Sequence, residues 1–244
     1  MRRSLRSAAV GSIGRPLAKA IAKPIAKPIA KPIVFLLALL PLASLVLGAA
    51  AGTLGANPAE ALIRGLGDWT LRMLCATLAI TPLRQWLGWP ELARFRRMLG
   101  LYTFFYGLLH FLAYAWLDMS LDLHDIVRDI GKRPFILVGS AALLLMLPLA
   151  ASSFGAAMRA LGAARWQRLH RSVYAISLLA LLHFYWMRAG KNDFAEVGVY
   201  AAIIGLLLGW RLVRRLRRIR RSAHERNNRV HAATPRPRST EPSA

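Results

Sequence analysis

Six apolar stretches, at about 33–51, 66–83, 98–117, 135–151, 172–187 and 197–213, divide a chain of 244 residues into hydrophobic segments and short polar connections. A helix crossing the hydrocarbon of a bilayer needs about 20 apolar residues, and about 17 suffice when the flanking side chains snorkel. Four of the stretches reach that length with a clear apolar signal. The fifth is short unless its basic N-terminal flank is also helical, and the second is weakened by Arg72 and Pro82. The pattern therefore predicts an all-α fold, a polytopic membrane bundle of six transmembrane helices.

The charge of the chain has to be read against that pattern. There are 34 Lys+Arg and 11 Asp+Glu, a formal charge of +23, in a chain that is 56% hydrophobic. A nucleic-acid binder spreads such a charge over a polar surface. Here the cations cluster between the apolar stretches, so no nucleic-acid partner is expected. Arg84, Arg94, Arg96 and Arg97 follow the second stretch, Arg159, Arg165, Arg168 and Arg171 precede the fifth, and an arginine-rich tail follows the sixth. The alternate connections, 57–68, 118–133 and 188–196, are poorer in net positive charge. Cationic loops stay in the cytoplasm, so both termini are expected there.

Three regions follow: a basic low-complexity tail at 1–32, the helical domain at 33–213, and an arginine-rich tail at 214–244 expected to be disordered. The first tail holds an Ile-Ala-Lys-Pro repeat at 21–32 whose regular prolines deny a helix its hydrogen bonds. Its lysines could touch anionic lipid. A basic start, an apolar run and Ala49-Ala50-Ala51 also fit a secretory leader, but the run is long for one. Trp69, Trp86, Trp89, Trp116, Trp186 and Trp210 lie near the segment ends, as interfacial anchors do.

Polar groups within hydrocarbon are costly and mark function. A single cysteine, Cys75, excludes a thiol pair or a cysteine-bound cluster. His224 and His231 fall in the basic tail, His124 in an acidic connection, and His170 at the cytoplasmic mouth of the fifth stretch. His110 and His183 lie deep in the third and fifth. Each is about twelve residues from the cytoplasmic start of its segment, which places both ~18 Å above that face. Two imidazoles at one depth on separate helices can clamp a planar ligand, and a haem iron with two axial histidines fits that arrangement.

Two other readings stand beside it: structural histidines bonded to neighbouring helices, and a proton relay or transport site. A transport site would be expected to add acids, cysteines or clustered methionines deep in the spans. Gly107, three residues before His110, makes room on the same helix face, and Gly100 is a weaker indication of the same kind. Arg72, Arg84, Arg96, Arg97, Arg168 and Arg171 could pair with propionates or a flavin phosphate, or simply set topology. Nucleotide-binding glycine motifs and a Cys-x-x-Cys-His haem attachment are missing.

The strings Asn57-Pro-Ala-Glu60, Thr81-Pro-Leu-Arg84, Arg96-Arg-Met-Leu-Gly-Leu101 leading to His110, Lys132-Arg-Pro-Phe-Ile136, Pro148-Leu-Ala150 and Trp166-Gln-Arg-Leu-His-Arg-Ser-Val-Tyr174 leading to His183 occur in that order. Together they resemble the haem-binding membrane subunits of protein-methionine-sulfoxide reductase systems, within the ferric-reductase-like transmembrane superfamily. The resemblance covers about 57–213. It implies an inner-membrane cytochrome b with haem b, and FMN as a further candidate cofactor. Electrons would arrive from a cytoplasmic flavin reductase or from quinol. They would leave to a periplasmic molybdopterin-dependent subunit that reduces methionine sulfoxide in proteins, so catalysis would belong to the partner. By position, His110, His170 and His183 match the haem-associated histidines. Depth favours pairing His110 with His183 and leaves His170 for a second site. The alternatives are a ferric or quinone-linked reductase membrane domain and a small transporter without haem.

Overall fold

The computed structural model describes residues 30–190 and 192–233. Helix α1 spans Ala30–Ala50, α2 Pro58–Leu87, α3 Ala93–Leu117, α4 Leu123–Lys132, α5 Pro134–Ala151, α6 Gly155–His170, α7 Val173–Ala189 and α8 Ala195–Ala233, with a 3₁₀ turn at Pro90–Leu92. No strand occurs among the described residues. The all-helical expectation is met, and each of the six apolar stretches lies largely or wholly within a helix.

Local chemistry sets the helix ends. Asn57 accepts a hydrogen bond from the Glu60 amide at 3.1 Å, and Pro58 occupies the first helical position, so α2 starts there. Gly88, at φ +69, closes α2 in the left-handed conformation. Asp122 caps α4 by accepting from the amides of His124 and Asp125. Gly162, at φ +72, breaks α6.

Four helical stretches are long and apolar enough to cross a membrane: Ala30–Ala50, Pro90–Leu117, Pro134–Ala151 and Ala195–Ser222. α2 carries Asp68 and Arg72 inside its apolar stretch, and α7 has 17 residues. Two connections expected as loops are helical: α4 packs Ile126 inward between polar neighbours, and α6 carries the basic flank of α7. The expected boundary at 213/214 is also crossed. Between Trp210 and Ala233 there is neither glycine nor proline, and arginine and leucine favour helix, so α8 runs on through the arginine run instead of giving way to a disordered tail. The Ile-Ala-Lys-Pro repeat lies outside the described residues except for its last three, which begin α1, and residues 234–244 also lie outside.

Neighbouring helices alternate in direction. Gly67 faces His110, Thr70 faces Gly107 and Thr77 faces Gly100, so α2 and α3 are antiparallel. Gly65 meets Leu45 of α1. Tyr102 and Tyr106 donate to the carbonyls of Phe35 and Ala38, tying α1 alongside α3 in the same direction. The Tyr106 hydroxyl also accepts from the Leu42 amide at 3.2 Å, so it sits within the backbone ladder of α1. Arg72 donates to Tyr200, and Arg211 to the carbonyl of Leu78, so α8 runs parallel to α2. Leu71, Leu74, Met146, Ile176, Phe184 and Ile204 join α2, α5, α7 and α8 in one apolar cluster. Tyr102 and Tyr106 anchor a second between α1, α2 and α3.

Candidate functional site

His110 comes from α3 and His183 from α7, and the fold brings their rings together with centroids 6.0 Å apart and planes crossed at 75°. His110 Nδ1 lies 2.8 Å from the carbonyl oxygen of Ile63 on α2, and His183 Nδ1 lies 2.6 Å from that of Phe135 on α5. A carbonyl only accepts, so each Nδ1 carries the proton. In the neutral ring the lone pair is then left on Nε2. Such a bond to the second ring nitrogen is how proteins orient a metal-ligating histidine.

Each imidazole rests on a glycine. A Cβ placed on Gly67 would come within 3.1 Å of the His110 ring, and one on Gly139 within 2.8 Å of the His183 ring. Both glycines fall four residues after the accepting carbonyl, Gly67 after Ile63 and Gly139 after Phe135. The same device, a carbonyl followed one turn later by a missing side chain, thus seats one histidine from each of two helix pairs.

Both rings line a cavity of about 410 Å³ whose floor includes Leu71, Gly107, Leu143, Met146 and Phe184. Arg64, Asp118 and Arg133 line its other end, where α2 and α5 begin. A metal bound at about 2 Å from each of two imidazole nitrogens would set the ring centres about 6 Å apart, which is the spacing found. Ligation fixes the axis through the two nitrogens and leaves rotation about it free, so crossed planes are compatible with a shared metal. Among the described residues no three of His, Cys, Asp and Glu converge on a point that could hold an ion. Two imidazoles alone do not complete the shell of a free transition ion. They do complete that of an iron already held by four ring nitrogens, and the glycine-floored gap suits a flat macrocycle.

His170 lies apart, on a second cavity of about 310 Å³ lined also by Arg84, Arg96, Arg97, Gly100 and Trp166. Its ring stacks on Trp166 with centroids 3.9 Å apart, and its Nδ1 lies 3.1 Å from the Trp166 carbonyl. The Trp166 indole donates in turn to the carbonyl of Ser152. Burial lowers the pKa of His170 below the ordinary histidine value; the hydrogen bond to Trp166 opposes this, and Arg96 adds a smaller lowering. Met146 lines both cavities. Of the other arginines singled out by sequence, Arg72 bonds Tyr200 and covers Trp69, while Arg168 and Arg171 line neither cavity. His124 is exposed in the first turn of α4.

Sequence reasoning missed the two accepting carbonyls, the seating glycines, and Arg64 and Arg133. Gly67 and Gly139 did carry a signal, since a glycine inside an apolar helix usually has a packing reason.

The class of this helical bundle is given by its sequence: residues 66–181 match the family described as ferric reductase like transmembrane component. The chain is 62% identical over 179 residues, 73% of this chain and 82% of the relative, to the protein-methionine-sulfoxide reductase heme-binding subunit MsrQ of Polaromonas naphthalenivorans. The corresponding subunit of Ralstonia nicotianae is 56% identical over the same shares, and that of Bordetella pertussis 55% identical over 73% of this chain and 86% of its own. The chain belongs to this family of heme-binding subunits. No solved structure matches it.

Proposed function

We propose that this protein is the membrane cytochrome b of a methionine-sulfoxide repair system, holding haem b between His110 and His183 and relaying electrons to a partner reductase. The facing pair, with both Nδ1 atoms tied to backbone carbonyls, is the observation that carries this reading. When bound, haem b supplies a one-electron iron couple. The residues supply the rest: His110 and His183 present fixed Nε2 lone pairs, Gly67 and Gly139 hold the rings in place, and Leu71, Leu143 and Phe184 keep water from the floor. Two histidine ligands leave no open position on an iron, which suits electron transfer and not oxygen chemistry.

The alternation of helix direction supports six spans, α1, α2, α3, α5, α7 and α8, in a bacterial inner membrane. The arginine-rich connections and the arginine-rich C-terminal end of α8 then lie on the cytoplasmic side with both termini. The mouth of the first cavity faces the periplasm, where a molybdopterin-dependent subunit would take electrons and perform the catalysis on methionine sulfoxide. The second cavity, with His170, Trp166 and three arginines, lies toward the cytoplasm and supports entry there through FMN, a further haem or quinol, the first fed by a flavin reductase. A ferric or quinone-linked reductase domain would share the first cavity and differ in its partner. A haem-free transporter would show solute flux and no visible chromophore.

The absorption spectrum of detergent-purified protein, expressed with haem available, tests the reading. A reducible Soret band is expected, and His110→Ala and His183→Ala should each remove most of it. A colourless wild type, or full haem retention in both variants, overturns it.

A further inference from the structure

The cavity between His110 and His183 is polar at one end only. Toward the second cavity its lining is largely apolar and carries no cation, whereas Arg64 on α2 and Arg133, just before α5, line the mouth. Arg64 lies on α2 three residues before Gly67, and Arg133 precedes α5, six residues before Gly139. Each is therefore displaced outward from the seat of a histidine, by ~4.5 Å and ~9 Å of helix rise.

Both guanidinium groups are held in place by a carboxylate. Glu60 pairs with Arg64 and is itself approached by the Asn57 side-chain amide at 3.3 Å. Asp129 binds Arg133 Nε at 2.9 Å and accepts at 2.7 Å from the hydroxyl of Tyr114, which stands one turn beyond His110 and lines the same cavity. A guanidinium has five N–H donors in a planar fork, so one buttressing carboxylate leaves further donors free. Glu60, Asp68 and Asp118 line the same mouth, so the two arginines act through their free N–H donors and not through net charge. Glu60 is engaged with Arg64, Asp118 is exposed to solvent, and Asp68 lies within the fields of Arg72, Arg188 and Arg64, which Glu196 opposes.

We infer that Arg64 and Arg133 are the anchors for the two propionates of the bound haem, and that they fix its orientation with the carboxylate edge toward the periplasmic mouth. This rests on the haem reading above. A carboxylate pushed into the apolar floor would be buried without a partner, at high cost. At the mouth it meets a charge-assisted, potentially bidentate donor on each side. The arrangement also places the propionate edge nearest the outer face, where electrons leave, and gives α2 and α5 one anchor each in addition to one histidine seat each.

The test compares haem b with its dimethyl ester, which keeps the ring and iron and lacks the two negative charges. Full-length protein produced without haem is reconstituted with each, and retention is followed by loss of the Soret band to a haem acceptor. Wild type should hold haem b at least about tenfold longer than the diester, the scale of one lost charge-assisted hydrogen bond. Arg64→Gln with Arg133→Gln should erase that preference, and Arg64→Lys with Arg133→Lys should restore part of it. The midpoint potential of the haem b form should fall in the glutamine variants, because a nearby cation favours the electron-rich state. Equal retention of the two haems by wild type overturns the inference even if a variant fails to fold, as does an undiminished preference in the double glutamine variant. Failure of wild type to take up either haem overturns the haem reading itself.

Discussion

Gly67 stands to His110 as Gly139 stands to His183. In each case a helix offers a carbonyl and then, four residues on, no side chain, and an imidazole from a neighbouring helix fills the gap. The two seats lie on α2 and α5, the two histidines on α3 and α7, so the site is assembled from two helix pairs that repeat one local arrangement. Each pair fixes the tautomer and ring position of its own histidine.

Filling these seats should damage the site in a graded way. A methyl group at Gly139 would meet ring atoms of His183 at 2.8 and 2.9 Å, whereas at Gly67 it would meet the His110 ring at 3.1 and 3.2 Å. Overpacking of this kind costs about 1–3 kcal/mol. Gly139→Ala is expected to lower both haem content and melting temperature more than Gly67→Ala does. Soret absorbance per protein and thermal unfolding in detergent measure the two effects, and equal losses would show that the closer approach is relieved elsewhere.

The carbonyl bonds make a separate prediction. If the Nδ1 protons fix Nε2 as the bare nitrogen, replacing either histidine by glutamine keeps a polar side chain but removes the aromatic donor. His110→Gln and His183→Gln should each lose most bound haem while retaining helical circular dichroism. A variant that keeps the wild-type spectrum would mean that its histidine is structural.

The reach of the sequence differs between these parts for physical reasons. His110 and His183 are legible as a pair because helix rise converts residue counts into depth, and equal depth on helices of the same direction is a strong restriction. Their seats are not legible, because Ile63 and Phe135 act through backbone oxygens 47 and 48 residues away in the chain. Side-chain identity there carries no information about the bond. The separation of His170 follows from its position one segment end away, yet its stacking on Trp166 depends on α6, the basic flank of the fifth stretch, whose helical state polarity alone leaves open. The arginine run after residue 213 looked like a solvated tail by composition, but helix propagation depends on the absence of glycine and proline, which α8 satisfies to Ala233.

Pro82 and Arg211 should be energetically coupled. Proline at 82 has no N–H, so the carbonyl of Leu78 loses its helical donor. Arg211 Nη2 supplies one at 2.6 Å and also lies 3.4 Å from the Thr81 hydroxyl. Arg211→Met removes that donor but also removes a partly buried cation whose Nη1 has no hydrogen-bond partner. The single change therefore mixes two effects. Pro82→Ala restores an N–H to Leu78, so Arg211→Met should cost less in that background, by about 1–3 kcal/mol, the penalty for a buried acceptor left unpaired. A double-mutant cycle on thermal or denaturant unfolding in detergent measures the coupling, and strictly additive changes would contradict it.

His170 gives the chain a pH dependence of definite sign. Burial against Trp166 lowers its pKa in the folded protein below the ordinary value of 6.5, with Arg96 adding to the effect. Below pH 6.5 the unfolded chain therefore binds more protons at this position than the folded one, and stability falls as pH falls. The loss begins near the unfolded value and levels off once the pH passes below the folded one. Above pH 7 the imidazole is neutral in both states and contributes no slope. His170→Gln removes the titration while keeping a polar group beside Trp166. In protein prepared without added cofactor, the melting temperature of wild type should drop relative to His170→Gln between pH 7.5 and pH 5. The two should run parallel from pH 7.5 to pH 8.5. A wild type that gains stability relative to the variant on acidification would mean that His170 is protonated more readily when folded, and that the arginines around the second cavity do not repel its charge.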